Sequence, residues 1–152
     1  RWTGAAPIAA VVDGAVTMLW WGCDLLSRGD TRGGPTPGHV AAVLESLVEA
    51  GISISSIGVH FHDTYGQALA NTLEALRHGV TVVDASAGGL GGCPYARTAT
   101  GNLPTEDLVW QLNGLGISTG LDLDKLVQTS VWLADRLGRP SPSRTVRALS
   151  GV

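Results

Sequence analysis

Cysteine and charge are both scarce in this chain of 152 residues. Two cysteines, Cys23 and Cys93, are too few for the disulfide framework of a small secreted domain, and they favour a reducing, intracellular setting. Charged residues make up 15% of the chain, below the usual share of about 25%. Ten Lys and Arg residues against 13 Asp and Glu leave no basic excess for binding nucleic acid.

A long uninterrupted apolar run is also missing. The longest apolar stretch, 5–21, contains Asp13 and Gly14, so it predicts a buried helix rather than a membrane span. The same stretch has neither the basic start nor the small-residue cleavage site of a signal peptide. We therefore expect a protein that is not secreted and has neither nucleic acid nor a membrane as a partner.

Glycine and apolar residues, in contrast, are abundant: 21 residues are glycine and 44% are hydrophobic. Helical and strand patterns alternate along the chain, which predicts an α/β fold with about three parallel strands followed by C-terminal helices. The predicted helices are 9–21, 39–50, 67–78, 105–115 and 122–137, and the predicted strands are 24–27, 57–62 and 80–85. We assign residues 1–138 to one domain and expect 139–152, with two prolines, to be a loosely attached tail.

His60 and His62 stand at the end of the second predicted strand. Residues i and i+2 of a strand point to the same face, so both imidazoles can reach one metal ion. The alternative is two unrelated polar residues at a strand end. Asp63, which follows them, would be either an orienting carboxylate or a turn residue.

A glycine-rich loop, 86–101, follows the third predicted strand and contains Cys93. Four glycines within 88–92 suit unusual backbone angles or a close approach to a ligand. In such a loop Cys93 is either a reactive thiol or a small buried side chain. The loop is not a phosphate-binding P-loop, because the Gly-Lys-Ser/Thr ending is missing.

Asn102 ends this loop, just before Glu106 and Asp107. Its amide oxygen could ligate a hard cation, or it could simply precede a helix whose first turn carries carboxylates. Two imidazoles and an amide suit Mg²⁺ or Mn²⁺ better than zinc, which prefers thiolates or a third histidine.

Three longer motifs closely resemble the 3-hydroxy-3-methylglutaryl-CoA lyase family. They are GVHFHDTYGQALAN at 58–71, VVDASAGGLGGCPYA at 82–96 and GNLPTED at 101–107, with GDT at 29–31 and TPG at 36–38 upstream. The resemblance implies a TIM (β/α)₈ barrel metallolyase that cleaves this acyl-CoA into acetyl-CoA and acetoacetate, in leucine breakdown and ketone-body formation. It implies a bacterial cytoplasmic or organellar matrix location.

The resemblance also implies roles for individual residues. The metal ligands for Mg²⁺ or Mn²⁺ would be His60, His62 and Asn102. The catalytic residues would be Cys93, Asp30, Glu106 and His60, and the substrate-binding residues would be Ser27, Gly91 and Gly92. Cys93 would assist proton transfer as its loop closes over the substrate.

The chain departs from the family in its first part. The family barrel has about twice this length, so the resemblance implies a partial barrel that is its C-terminal part. No segment like the family's first strand, with its metal-binding Asp, is found, and Arg28 stands where the family usually has Leu.

We therefore weigh a second interpretation, a non-catalytic remnant or interaction module completed by an N-terminal half-barrel or by homo-oligomers. A third is a related aldol-type acyl-CoA enzyme, such as a 2-isopropylmalate or homocitrate synthase or a carboxyltransferase, although GGCPY at 91–95 favours the lyase.

Overall fold

A parallel three-stranded sheet forms the centre of the computed structural model, which describes residues 6–92 and 101–151. Strand β1 is Leu26–Gly29, β2 is Ile57–His60 and β3 is Val82–Asp84, and the strands lie in the order β1-β2-β3. Both pairings are parallel. The predicted α/β class with about three parallel strands is confirmed, since helices provide the crossover connections that parallel strands need.

Six helices accompany the sheet within the described residues. They are α1 (Ile8–Trp20), α2 (Pro37–Glu49), α3 (Ala68–Arg77), α4 (Thr105–Gly114), α5 (Leu123–Leu137) and α6 (Arg144–Ser150), with short 3₁₀ turns at Ile54–Ser56 and Ala87–Gly89. The five predicted helices are confirmed, with ends that differ by at most two residues. No helix in the described part of the chain is both long enough and apolar enough to cross a membrane.

Asp122 caps the N-terminus of α5, as its residue type favours. Its carboxylate accepts a hydrogen bond from the Lys125 backbone N–H at 3.1 Å. This backbone hydrogen bond, together with the Lys125 ammonium, lowers the pKa of Asp122. The cap fixes where α5 begins.

The two faces of the sheet have different environments. Partners in register share a face, so Ser27, His60 and Asp84 lie on one face while Leu26 and Val59 lie on the other. Leu26 and Val59 are buried in a hydrophobic core built with helices α2 and α3. Ser27 and Asp84 are exposed. Among the described residues, the hydrophobic core covers one side of the sheet, which also carries Arg28, while Ser27, His60 and Asp84 are on the other side.

The expectation of a loosely attached tail is wrong for residues 143–150. Helix α6 occupies most of this segment and buries Ser143, Thr145 and Val146. The buried Asp107 carboxylate of α4 accepts hydrogen bonds from the Ser143 hydroxyl at 2.6 Å and from the Thr145 backbone N–H at 2.8 Å. The segment is held by polar contacts that hydrophobic periodicity does not reveal.

The tryptophans of the C-terminal helices do not pack between helices, although their large apolar rings favour burial. Trp110 is 58% exposed and Trp132 is 55% exposed. The Arg136 guanidinium lies 5.8 Å from the centre of the Trp132 ring, within the range of a cation–π contact. Both rings therefore lie on the outer surface of the helix layer.

Candidate metal centre at the carboxyl end of the sheet

His60, His62 and Asn102, the three predicted metal ligands, come together at the carboxyl end of β2. His60 is the last residue of this strand. The ring centres of His60 and His62 are 5.0 Å apart, and their planes are nearly perpendicular. His62 also forms an isolated antiparallel bridge with Asn102, 40 residues later in the chain. The loop after β3 thus returns to the histidine pair.

The ring of His62 is held in one orientation by the backbone of the β1 loop. Its Nδ1 donates to the Asp30 carbonyl oxygen at 2.5 Å. Since a carbonyl can only accept, Nδ1 carries the proton and Nε2 remains available as a neutral ligand. The Asp30 N–H in turn donates to the His60 carbonyl at 2.8 Å. Gly33 packs so closely that a Cβ there would lie 2.8 Å from the His62 carbonyl oxygen.

Asn102 is oriented by the glycine-rich turn. Its Nδ2 donates to the Leu90 carbonyl oxygen at 2.9 Å, which leaves the amide oxygen available for another partner. Gly91 has a φ of +98°, and a Cβ on it would lie 2.7 Å from this Nδ2. The absence of a side chain at Gly91 is therefore what permits the Asn102 amide to approach the loop.

A Gly91→Ala substitution tests this packing. We expect a loss of about 1–3 kcal/mol in stability, because alanine is strained at positive φ and its methyl group displaces the Asn102 amide. Chemical denaturation would measure the loss, and the NMR resonances of the Asn102 side-chain amide would report the displacement. Gly114→Ala in α4 is the matched control, since a Cβ there meets no atom within 4 Å. Unchanged Asn102 resonances in Gly91→Ala would contradict the proposed packing.

The carboxylate of Asp30 organises its own loop. Its Oδ1 accepts from the backbone N–H groups of Arg32 at 3.1 Å and Gly33 at 2.8 Å. Its Oδ2 is buried without a hydrogen-bond partner in the structure. Asp30 thus shapes the turn whose carbonyl holds His62, and its predicted catalytic role stays a prediction.

Glu106 lies behind the glycine-rich turn and is fully buried. Its two carboxylate oxygens accept from the Gly88 N–H at 3.0 and 3.1 Å, and one of them also accepts from the Ser130 hydroxyl of α5. These contacts anchor the turn that carries Leu90. The predicted catalytic role of Glu106 stays a prediction.

Ser27 lies on the open face of the sheet, and its hydroxyl donates to an Asp84 carboxylate oxygen at 2.5 Å. Asp84 pairs in register with His60, so it stands beside the candidate site. Sequence reasoning missed Asp84. Strand alternation could have found it, because Asp84 lies two positions after Val82 at the end of a strand predicted to be parallel.

The remaining predicted positions are less informative. Gly91 and Gly92 are both exposed, so their predicted contact with substrate stays a prediction. Cys93 lies outside the described residues. Asp63 is a turn residue rather than an orienting carboxylate, since its Oδ1 accepts from the Ala68 N–H at the start of α3 and its Oδ2 pairs with Arg144 at 3.5 Å.

The donor set fits a divalent cation in part. Two imidazoles and one amide oxygen are suitable ligands for Mn²⁺ or Mg²⁺, and the hydrogen bond from Nδ1 of His62 leaves the correct ring nitrogen available. Across residues 6–92 and 101–151, however, no group of three His, Cys, Asp or Glu side chains could hold a metal ion. No third His, Cys, Asp or Glu side chain of these residues therefore joins His60 and His62, and we expect weak metal binding without an added carboxylate.

Comparison with known proteins gives consistent results. A family model described as HMGL-like matches residues 2–132. The Mus musculus protein named mitochondrial hydroxymethylglutaryl-CoA lyase is 48% identical over 145 residues, which cover 95% of this chain and 44% of the relative.

Two solved structures are also similar. Hydroxymethylglutaryl-CoA lyase from Pseudomonas aeruginosa gives a TM-score of 0.93 at 40% identity, over 99% of this chain and 50% of that one. The HMG-CoA lyase from Acinetobacter baumannii, solved in complex with coenzyme A and 3-methylmalate, gives 0.91 at 37% identity, over 97% and 48%. The fold is thus part of a TIM barrel, as predicted, and the chain spans about half the length of these relatives.

Proposed function

The chain belongs to the HMGL-like family, and from this premise we propose that it functions as part of a metal-dependent carbon–carbon lyase. The proposed reaction cleaves 3-hydroxy-3-methylglutaryl-CoA into acetyl-CoA and acetoacetate, as in leucine degradation and ketone-body formation. The observation that supports this most directly is the convergence of His60, His62 and Asn102 at the carboxyl end of the sheet, where enzymes of this barrel architecture carry their active sites.

The division of the chain follows from the same premise. We assign residues 1–138 to the C-terminal part of the lyase domain and 139–152 to a terminal extension. Because the chain spans about half the length of its relatives, an N-terminal half-barrel or a second copy of the chain would supply the other strands. The relatives named mitochondrial support a matrix location, with the bacterial cytoplasm as the equivalent.

His60, His62 and Asn102 would hold the proposed Mg²⁺ or Mn²⁺. When bound, the ion would act as a Lewis acid on the oxygens of the substrate. Asp30 and Leu90 contribute through their carbonyl groups, which fix the His62 ring and the Asn102 amide before substrate arrives. Such fixed orientation avoids the cost of ordering the ligands during the reaction.

Cys93 is the proposed proton carrier. Loss of the proton from the tertiary hydroxyl lets the neighbouring carbon–carbon bond break, which leaves a ketone on acetoacetate and an enolate on acetyl-CoA. The enolate must then gain a proton at carbon, and the Cys93 thiol would deliver it. Ser27, Gly91 and Gly92 are proposed to contact the substrate beside it.

Metal binding provides the first test. We expect His60→Ala and His62→Ala each to weaken Mn²⁺ binding, followed by electron paramagnetic resonance, by about tenfold or more, because each removes a ligand. His39→Ala is the matched control, since His39 is exposed at the start of α2. Equal Mn²⁺ affinity in all three variants and the native chain would contradict the ligand assignment.

Turnover provides the second arm of the same test. If the chain supports lyase activity, acetoacetate should form from 3-hydroxy-3-methylglutaryl-CoA with added Mn²⁺, and Cys93→Ala should lower the rate about 10²- to 10⁴-fold. Metal binding without acetoacetate would instead support the non-catalytic module. Consumption of a different acyl-CoA with a keto acid would support a related aldol-type enzyme.

A further inference from the structure

A cavity of about 640 Å³ lies beside β1, at the level of helices α1 and α2. Its walls include Val11 of α1, Val40 and Val43 of α2, and Val59 and Phe61 of the core. Small-molecule sites in proteins commonly measure about 300–1,000 Å³ and are mostly apolar. Val59 is on the opposite face of the sheet from His60, and the cavity extends to Gly29 and Asp30 at the carboxyl end of β1.

Arg28 projects from β1 into the lining of this cavity. It pairs in register with Val59, which places it on the helix-covered face of the sheet. Burial lowers the pKa of its guanidinium, but an arginine remains charged at neutral pH. Within the part of the chain that the structure describes, the Arg28 side chain makes no hydrogen bond and no ion pair. A partly buried charge of this kind is costly until an anion pairs with it.

Asp30 is an acidic residue in the described lining of the cavity. Its Oδ1 is occupied by the loop backbone and its Oδ2 is closed off from solvent. A ligand in the cavity therefore meets the Arg28 guanidinium and apolar walls.

We propose that this cavity binds a small aliphatic monocarboxylate. Its carboxylate pairs with the Arg28 guanidinium, whose planar fork matches two carboxylate oxygens. Its hydrocarbon chain lies among Val11, Val40 and Val43, where apolar contact with the walls is favourable. A heavily hydrated inorganic anion is disfavoured, because the apolar walls cannot replace the water that it would lose on binding.

Hexanoate is a suitable probe because hexanol and hexylamine match its chain and differ in the head group. We expect hexanoate to shift the amide resonances of residues 28–44 and 59–61 saturably in NMR titrations of the full chain. Hexanol should bind about tenfold more weakly or worse, since it lacks the charge-assisted hydrogen bonds. Hexylamine should not bind, because its positively charged ammonium would be repelled by the Arg28 guanidinium.

Substitutions at Arg28 identify the group that recognises the carboxylate. Arg28→Leu should weaken hexanoate binding at least about tenfold, whereas Arg28→Lys, which keeps the charge, should retain part of it. Arg77→Leu on α3 is the control, because Arg77 is exposed and away from the cavity. The proposal is overturned if hexanoate shifts no cavity resonance, if hexanol binds equally well, or if Arg28→Leu binds as the native chain does.

Discussion

Replacing Glu106 with alanine is expected to destabilise the chain by about 3–5 kcal/mol, because a buried charged acceptor is removed from its donors. The carboxylate is fully buried and accepts from the Gly88 N–H and the Ser130 hydroxyl. Without it, the Gly88 N–H has no partner in a region from which water is excluded, and a cavity is left behind.

The same substitution should also weaken the candidate metal centre. Glu106 holds Gly88, and the turn that begins there carries the Leu90 carbonyl that orients Asn102. We therefore expect Mn²⁺ affinity in Glu106→Ala to fall about tenfold, in the range found when the partners of metal ligands are removed. This effect is separate from the loss of global stability and is measured under conditions where the variant is folded.

Denaturant unfolding monitored by circular dichroism measures the first effect. Ser130→Ala removes one donor and should cost about 1–2 kcal/mol, and the double variant should cost less than the sum of the two, because the residues share one hydrogen bond. Glu45→Ala is the charge-matched control, since Glu45 is exposed on α2. A loss in Glu106→Ala no larger than that in Glu45→Ala would show that the buried network contributes little.

Local patterns in the sequence were sufficient for helices α1 to α5 and for the parallel pairing of the strands, but not for α6. The alternation of β-branched strands with helices stopped by glycine sets the elements, and parallel strands need the helices that follow them. The strand end at His60 and His62 also predicted a shared site, because i and i+2 lie on one face. Asn102 entered the prediction through its amide chemistry and through the family motif.

Contacts between distant parts of the chain were not accessible to this reasoning. The His62 ring is held by Asp30, 32 residues earlier, and Glu106 is held by Ser130, 24 residues later. Serine and asparagine give no periodic signal, and their partners depend on how helices pack rather than on spacing. For the same reason the sequence does not reveal that α4 turns the large apolar side chain of Trp110 outward.

Helix α6 is short, and the Asp107 carboxylate holds its N-terminus. Helix α6 has seven residues, too few to be stable alone in water. Asp107 accepts from the Ser143 hydroxyl at 2.6 Å and from the backbone N–H groups of Arg144 at 3.3 Å and Thr145 at 2.8 Å. The negative charge thus meets the positive end of the helix and satisfies its first N–H groups.

We therefore expect Asp107→Ala to release α6 and to cost about 2–4 kcal/mol, since two buried charge-assisted hydrogen bonds are lost. Hydrogen exchange of the amides in 144–150 should accelerate by at least about tenfold, while β2 keeps its protection. Asp135→Ala, at an exposed position of α5, is the control and should leave α6 protected. If α6 stayed protected in Asp107→Ala, apolar burial of Val146 rather than the carboxylate would be what holds it.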